Sequence, residues 1–362
     1  MNSFPFLDNI RHIYVTEDAL DFPATQRAKN AHLSATWHLV KTKNDIPAEH
    51  LNRETLLITC HSGRMLHPCP GTRGHVCCNY LTIDLYEGCP LGCSYCIMQS
   101  YLNFAPMIIN VDTKRPISEL IKLAKDNPDA EIRVGTGEVG DSNYLDPVFR
   151  LSEEFIRALA PYNNISFEVK TKTAWIDHLL DIEPKGRAVI AFSVNPQRVI
   201  DEEDGDAAGL EERLTAAEKA IKAGYRLAFH FDPIIAIGEW QKEYGQVIDM
   251  LGRFDASRIA WISMGTIRYP AALRKKMADR PYLYDEFIPS KDGKFRYLQK
   301  RRVEIYSRIK EELNKALPGA PVYMCMESSA VWKKVFGSLP QKQQELCNIF
   351  KRVKTDIYRE EH

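Results

Sequence analysis

The chain has 362 residues, 44% of them hydrophobic, with 48 Lys plus Arg against 48 Asp plus Glu and a formal net charge of zero. That length and apolar content can bury a large core and exclude a disordered protein. Zero net charge excludes a global field drawing the chain onto nucleic acid or a membrane, so any nucleic-acid affinity must come from a local patch.

No run approaches the ~20 apolar residues that span a bilayer, which predicts no membrane partner. Nine cysteines with no apolar signal segment ahead of them predict a reducing compartment, the cytoplasm, where thiols serve metals or redox chemistry more than disulfides.

Residues 1–79 read as an N-terminal α/β cap. They hold a short apolar run at 12–15, a polar helix-like stretch at 19–32 and a strand-like stretch at 55–60, followed by Cys69-Pro70-Gly71-Thr72 and the pair Cys77-Cys78. A regular rhythm begins at residue 80. Strand-like runs at 81–86, 131–135, 165–170, 188–194, 226–231 and 259–264 alternate with helix-like segments, predicting a parallel sheet of right-handed βαβ units over 80–265. The unbroken Val189-Ile190-Ala191-Phe192 suits a strand covered on both faces. Leu210, Leu214, Ala217 and Ile221 form one apolar helical stripe, with Gly224 as its stop.

Residues 266–362 form a C-terminal extension. The stretch 268–280 is basic and interrupted, and Asp292-Gly293 within 289–297 signals a hairpin. A helix is expected over 302–317 and a strand over 321–326, then two amphipathic helical stretches to the end.

The chemistry gathers at Gly88-Cys89-Pro90-Leu91-Gly92-Cys93-Ser94-Tyr95-Cys96. Three thiols at C-x-x-x-C-x-x-C spacing can converge on one small centre, because the loop is short and free to turn at Gly88 and Gly92. A cubane iron–sulfur cluster held by three cysteines keeps one iron open to a substrate. The alternative is a structural zinc site recruiting a fourth ligand such as Cys78. Zinc motifs usually come as paired C-x-x-C knuckles, and no second knuckle follows.

The spacing resembles that of the radical S-adenosylmethionine (SAM) superfamily. The resemblance implies a [4Fe-4S] cluster on Cys89, Cys93 and Cys96, whose open iron chelates the amino and carboxylate groups of SAM before its reductive cleavage to a 5′-deoxyadenosyl radical. Parallel α/β folds collect their sites at the carboxyl edge of the sheet. There Gly135-Thr136-Gly137-Glu138 resembles the Gly-Gly-Glu element that contacts the methionine amino group. Two glycines allow close backbone approach, and Glu138 can accept from a cation. Lys172 is a candidate for the SAM carboxylate, and Ser193 and Asn195 for the ribose; a lone residue of these types at a strand end is as often solvated or capping. Of the pair at the end of the fifth strand, His230 reads as a satisfied core histidine and Asp232 as a pocket-lining carboxylate.

Several stretches together resemble the spore photoproduct lyase family of radical SAM enzymes: 88–96, Thr171-Lys172, Ala191-Phe192-Ser193-Val194-Asn195, 210–225 with Glu211-Glu212-Arg213-Leu214, and Asp292-Gly293-Lys294-Phe295-Arg296-Tyr297. They cover roughly residues 80–336. The resemblance implies a partial (β/α)6 TIM-type barrel with an N-terminal α/β cap and a C-terminal hairpin–helix extension.

It further implies repair of ultraviolet-damaged DNA. Hydrogen is abstracted from the methylene bridge of 5-thyminyl-5,6-dihydrothymine, the bridge breaks, and a protein hydrogen donor quenches the thymine radical. An external electron donor such as flavodoxin or ferredoxin is implied as well. Extruding the damaged pair calls for a wedge, for which Lys294, Arg296 and Tyr297 are candidates, with Lys300, Arg301 and Arg302 for phosphates.

This chain departs from the family at two points. The characterised lyases carry a donor cysteine shortly after the second strand, where this chain has Glu138-Val139-Gly140-Asp141-Ser142, and no cysteine occurs between Cys96 and Cys325. The aromatic residue expected after the third cluster cysteine is Ile97, although Tyr95 remains. Cys325 and Tyr95, with Cys77 and Cys78, are the candidate substitutes. Two further readings stay open: a radical SAM enzyme of the same fold acting on a modified nucleotide or small molecule, and a non-catalytic zinc-bearing nucleic-acid-binding protein.

Overall fold

The computed structural model describes residues 5–31, 34–71, 74–277, 279–351 and 353. Seven parallel strands run through its centre in chain order: β1 (Leu81–Ile83), β2 (Ile132–Gly135), β3 (Ile165–Thr171), β4 (Val189–Ser193), β5 (Arg226–Ile234), β6 (Ile259–Thr266) and β7 (Val322–Met324). The strand Leu66–Pro68 closes the β1 edge antiparallel. This curled sheet is the expected partial barrel. All six strands read from the apolar runs between 81 and 264 form and neighbour one another in order, and β7 adds a seventh.

The strands form where β-branched and aromatic residues run without polar interruption. Every residue of β4 is buried, as a strand covered on both faces requires. Outside the sheet, helix Leu210–Lys222 buries Leu210, Leu214 and Ala217. Gly224, at φ +98°, turns the chain into β5 at no side-chain cost.

A second sheet carries the N-terminal strands Thr36–Val40, His12–Thr16 and Thr55–Thr59, and continues into Met107–Asn110 and Tyr86–Glu87. The last two come from beyond residue 79 and flank the cysteine loop on either side in sequence. The loop is therefore slung between two strands of the N-terminal sheet while it faces the barrel.

Past β6, Arg268–Pro270, Lys294–Tyr297 and Phe287–Pro289 make a three-stranded antiparallel sheet with Lys294–Tyr297 in the middle. Its turn uses Gly293 at φ +77°, as the Asp-Gly signal predicts. Helix Gln299–Ala316 follows. Of the two terminal helices expected, Ser329–Phe336 forms, whereas the chain after 337 passes through the short turn Pro340–Lys342, and residues 352 and 354–362 lie outside the described residues. Among the described residues, no helix is long and apolar enough to cross a membrane.

Candidate active site

The cysteine loop is fixed by backbone contacts that leave no room for side chains. Gly88 N–H donates to the Val139 carbonyl at 3.0 Å. A Cβ on Gly140 would meet the Tyr86 carbonyl oxygen at 2.6 Å and that of Gly88 at 2.9 Å. From the other side Gly205, at φ +60°, sits so close that a Cβ would fall 2.0 Å from the Leu91 carbonyl oxygen, and Asp206 N–H donates to that oxygen at 2.8 Å. The loop is thus wedged between the turn after β2 and the loop 204–206.

Held this way, Cys89, Cys93 and Cys96 line one recess together with Glu138 and Ser193. Burial pushes the Cys93 thiol up to about 12 and Cys89 well above its ordinary value. Thiols in such surroundings ionise only against a positive centre, which cluster iron provides. The donor set and its setting therefore fit an iron–sulfur cluster with three protein ligands.

A cavity of about 490 Å³ opens beside the thiols and shares Tyr95, Cys96, Glu138 and Asp232 with the recess. Its charges form a graded cluster. Burial pushes Glu138 upward, against Lys170 and Arg268, which pull it back. Asp232 accepts from both ends of the Arg268 guanidinium, at 3.3 and 3.5 Å. A Cβ on Gly265 would lie 2.6 Å from Asp232 Oδ1, so this fork exists only over a glycine. Lys170 lines recess and cavity alike; burial draws its ammonium down, but Asp232 and Glu138 outweigh it and hold it above its usual value. Lys294 reaches the cavity from the hairpin, its ammonium lowered by burial and then by Arg268.

Under the loop lies a second network. Asp204 is fully buried and accepts from Arg213 at 2.8 Å on one oxygen and from Lys172 Nζ at 2.9 Å on the other. Tyr95 O–H also donates to Asp204 and accepts from Lys172 at 2.5 Å. Burial would push Asp204 up, but the Lys172 and Arg213 cations overcome it and hold it below the usual carboxylate value. The Cys93 thiol donates to the Asp204 carbonyl at 3.4 Å.

Several expected residues land elsewhere than the sequence reading put them. Lys172 lines the recess, but its ammonium is tied to Asp204 and Tyr95 and braces the loop from below; Lys170, two residues earlier, lines both the recess and the cavity. Ser193 lines the recess, but Asn195 is buried with its amide oxygen accepting from Tyr244 at 2.8 Å, away from it. Arg296 is buried in a two-pronged pair with Asp292 at 2.7 and 2.8 Å, and Tyr297 is buried with its ring stacked on Phe287. Both hold the hairpin together, leaving Lys294 as its contribution to the cavity. Arg302 is buried against Glu327, whereas Lys300 is exposed.

His230 is a core histidine, as expected. It donates to Glu168 at 2.8 Å and accepts from Ser263 at 2.6 Å. Cys325, just past β7, has its thiol pushed well above the ordinary value by burial and then by Asp232. It therefore stays an S–H in the company of the cavity charges.

A family model described as spore photoproduct lyase matches residues 74–323. The chain belongs to the spore photoproduct lyase family. A Geobacillus spore photoproduct lyase is 30% identical over 175 residues, and the Bacillus subtilis spore photoproduct lyase 27% identical over 170 residues; each match covers 47% of this chain and 50% of the relative. The chain thus spans about half the length of the relatives it matches. Among solved structures, a spore photoproduct lyase double mutant with bound AdoMet and dinucleoside spore photoproduct superposes with a TM-score of 0.77 at 20% identity, over 87% of this chain and 98% of the other. A spore photoproduct lyase complexed with dinucleoside spore photoproduct gives 0.75 over the same shares. These likenesses establish the spore photoproduct lyase fold over 87% of this chain.

Proposed function

We propose that this protein is a radical SAM enzyme that repairs the spore photoproduct thymine lesion, or a related lesion, in DNA. The observation that carries the reading is the placement of Cys89, Cys93 and Cys96 in one recess with Glu138, opening directly onto the 490 Å³ cavity. A [4Fe-4S] cluster on the three thiols, with SAM bound, supplies a 5′-deoxyadenosyl radical. The chain's own work is to orient and to quench. Glu138 accepts from the SAM amino group, Lys170 meets its carboxylate, and Ser193 faces the ribose. Asp232, Arg268 and Lys294 receive the lesion.

Cys325 and Tyr95 are the proposed hydrogen donors in place of the absent family cysteine. A donor must keep its hydrogen, and burial holds both the Cys325 thiol and the Tyr95 phenol far above their ordinary values. A second opening, about 240 Å³, reaches all three cysteines from outside between Arg53 and Lys276. This cationic approach suits an acidic one-electron carrier such as flavodoxin or ferredoxin. We assign the cap to 1–79, the barrel to 80–265 and the DNA-contacting extension to 266–362, and place the reaction in the reducing cytoplasm.

The experiment is to incubate anaerobically reconstituted, reduced protein with SAM and spore-photoproduct DNA. Recovery of thymine together with 5′-deoxyadenosine is the expected result. Formation of 5′-deoxyadenosine while the lesion persists would favour the second reading, a radical SAM enzyme of this fold with another substrate. The charged cavity lining and the absence of any cysteine between Cys96 and Cys325 give that reading its weight. A colourless, zinc-replete protein would overturn both.

A further inference from the structure

Three histidines from three separate segments of the N-terminal region meet. His12 begins the strand His12–Thr16, His38 is central in the edge strand Thr36–Val40, and His50 ends the turn Ala48–His50. Parallel pairing sets Tyr14 directly opposite His38, and period-two alternation puts His12 and Tyr14 on the same face. One ring nitrogen from each histidine lies within 4.8 Å of the other two. His12 Nδ1 and His38 Nε2 are 3.3 Å apart.

That spacing has two physical meanings. It fits a weak N–H···N hydrogen bond, and it fits the edge of a coordination tetrahedron, since two zinc–nitrogen bonds of about 2.0–2.1 Å subtend roughly 3.3–3.4 Å. His50 decides between them. Its Nδ1 is engaged by the Tyr14 hydroxyl at 2.5 Å, which leaves Nε2 as the ring nitrogen available to a metal. Ligating histidines are commonly oriented in this way, one nitrogen held by a neighbouring oxygen and the other turned to the metal. A third imidazole with its orienting partner in place exceeds what a hydrogen-bonded His12–His38 pair requires.

We propose that His12, His38 and His50 form a binding site for a borderline-soft divalent transition metal, of which zinc is the representative, with Tyr14 as the outer partner of His50. The fourth position is left to water. The rings are half-buried, as a site loaded from solvent must be. All three ligands must be neutral to bind, so metal binding releases any protons they carry. The His12 ring now lies stacked on His50, centroids 3.7 Å apart and planes 18° from parallel. Stacked rings do not aim their lone pairs at one point, so binding turns His12 about its Cβ–Cγ bond, a side-chain rotation with no backbone demand.

The consequence is a clip. The edge strand Thr36–Val40 pairs with the His12–Thr16 strand alone, and the metal would tie it, its neighbour and the turn Ala48–His50 together. Binding to the folded state alone raises stability, so zinc should raise the thermal midpoint.

The test is a Co²⁺ titration of the anaerobically reconstituted holoprotein, followed in the visible and near-ultraviolet. Imidazole ligation gives visible d–d bands without thiolate-to-cobalt charge transfer, and zinc then displaces the cobalt. We expect one cobalt per chain with that signature, lost in His38→Ala and in His50→Ala and kept in Cys77→Ser. Tyr14→Phe should weaken binding by about tenfold. His50 lies on a turn, so its variant keeps the test valid should a strand substitution disturb folding. Bands that persist in both histidine variants, charge-transfer absorption marking thiolate ligands, or no d–d bands at all would each overturn the proposal. None of these outcomes bears on the SAM-binding site.

Discussion

Lys172 and Asp204 form a buried ion pair at 2.9 Å directly beneath the cysteine loop, with Arg213 completing the charge balance on the other carboxylate oxygen at 2.8 Å. The pair joins the end of β3 to the loop that carries Gly205, so the platform under Cys93 depends on one carboxylate holding two cations.

Replacing that carboxylate should therefore be severe. Asp204→Asn leaves Lys172 and Arg213 with no compensating charge in a dry setting, which typically costs about 3–5 kcal/mol. We expect a large fall in the denaturant midpoint and a loss of iron and sulfide after reconstitution. A variant that reconstitutes fully with an unchanged midpoint would show that the network is dispensable.

The two glycine contacts on the loop predict a different failure. In Gly140→Ala the new methyl meets the Tyr86 and Gly88 carbonyls, and neither is the end of a flexible side chain. Overpacking of this kind typically costs about 1–3 kcal/mol. The displaced segment carries Cys89, so the expected readout is weak iron–sulfur absorption in a protein that otherwise retains its circular dichroism. Normal cluster content in Gly140→Ala would refute the wedge.

Glu138 and Lys172 can be told apart by what their loss does to SAM. A hydrogen bond to a charged group contributes about 1.5–3 kcal/mol, so Glu138→Gln should weaken SAM binding by about ten- to a hundredfold with the cluster intact. Lys170→Met should act in the same direction. Lys172→Met should instead reduce cluster loading. Equilibrium dialysis with labelled SAM, beside iron analysis, separates the two patterns; equal effects at positions 170 and 172 would undo the assignment of Lys170 to the SAM carboxylate.

The barrel interior predicts an acid limb. Burial alone would raise Glu168, but the His230 ring, then the Tyr80 hydroxyl and the Lys170 ammonium, hold it at about 2 against an ordinary 4.5. A carboxyl depressed on folding contributes stability that is fully present above the unfolded value and is lost as pH falls from about 4.5 through about 2. Denaturant midpoints recorded on descending through that window should fall more steeply for the natural protein than for Glu168→Gln. Parallel curves would mean that Glu168 is not the group responsible.

The fold was legible because its signals are local. The apolar runs from 81 to 264 mark six strands, and the spacing of Cys89, Cys93 and Cys96 marks the loop, since both follow from neighbours in sequence. What escaped was set by side-chain direction and distant pairing. Lys170 and Lys172, the latter just past β3, alternate onto the same face as Glu168, so residue type alone could not say which reaches the cavity; the sequence reading named only Lys172. Asp204 sits in an acidic stretch, Asp201-Glu202-Glu203-Asp204, that resembles a solvated helix end. Nothing local says that Arg213 and Lys172 will meet it. Arg296 and Tyr297 looked like a basic, aromatic contact surface because a bare hairpin sequence does not reveal that Asp292 and Phe287 claim both inward.

The three-stranded sheet past β6 does more than display residues to solvent. Arg268 lies on its first strand opposite Arg296, and Lys294 lies on its middle strand opposite Pro270, so the two are offset by two residues along the ladder. Both side chains end in the cavity, one of them on Asp232 at the mouth of the barrel. A molecule that leans on the hairpin therefore leans on the charge balance beside Glu138. In the proposed reaction recognition and radical generation share a lever, and its fulcrum is Gly265, the residue whose missing side chain lets Asp232 and Arg268 touch.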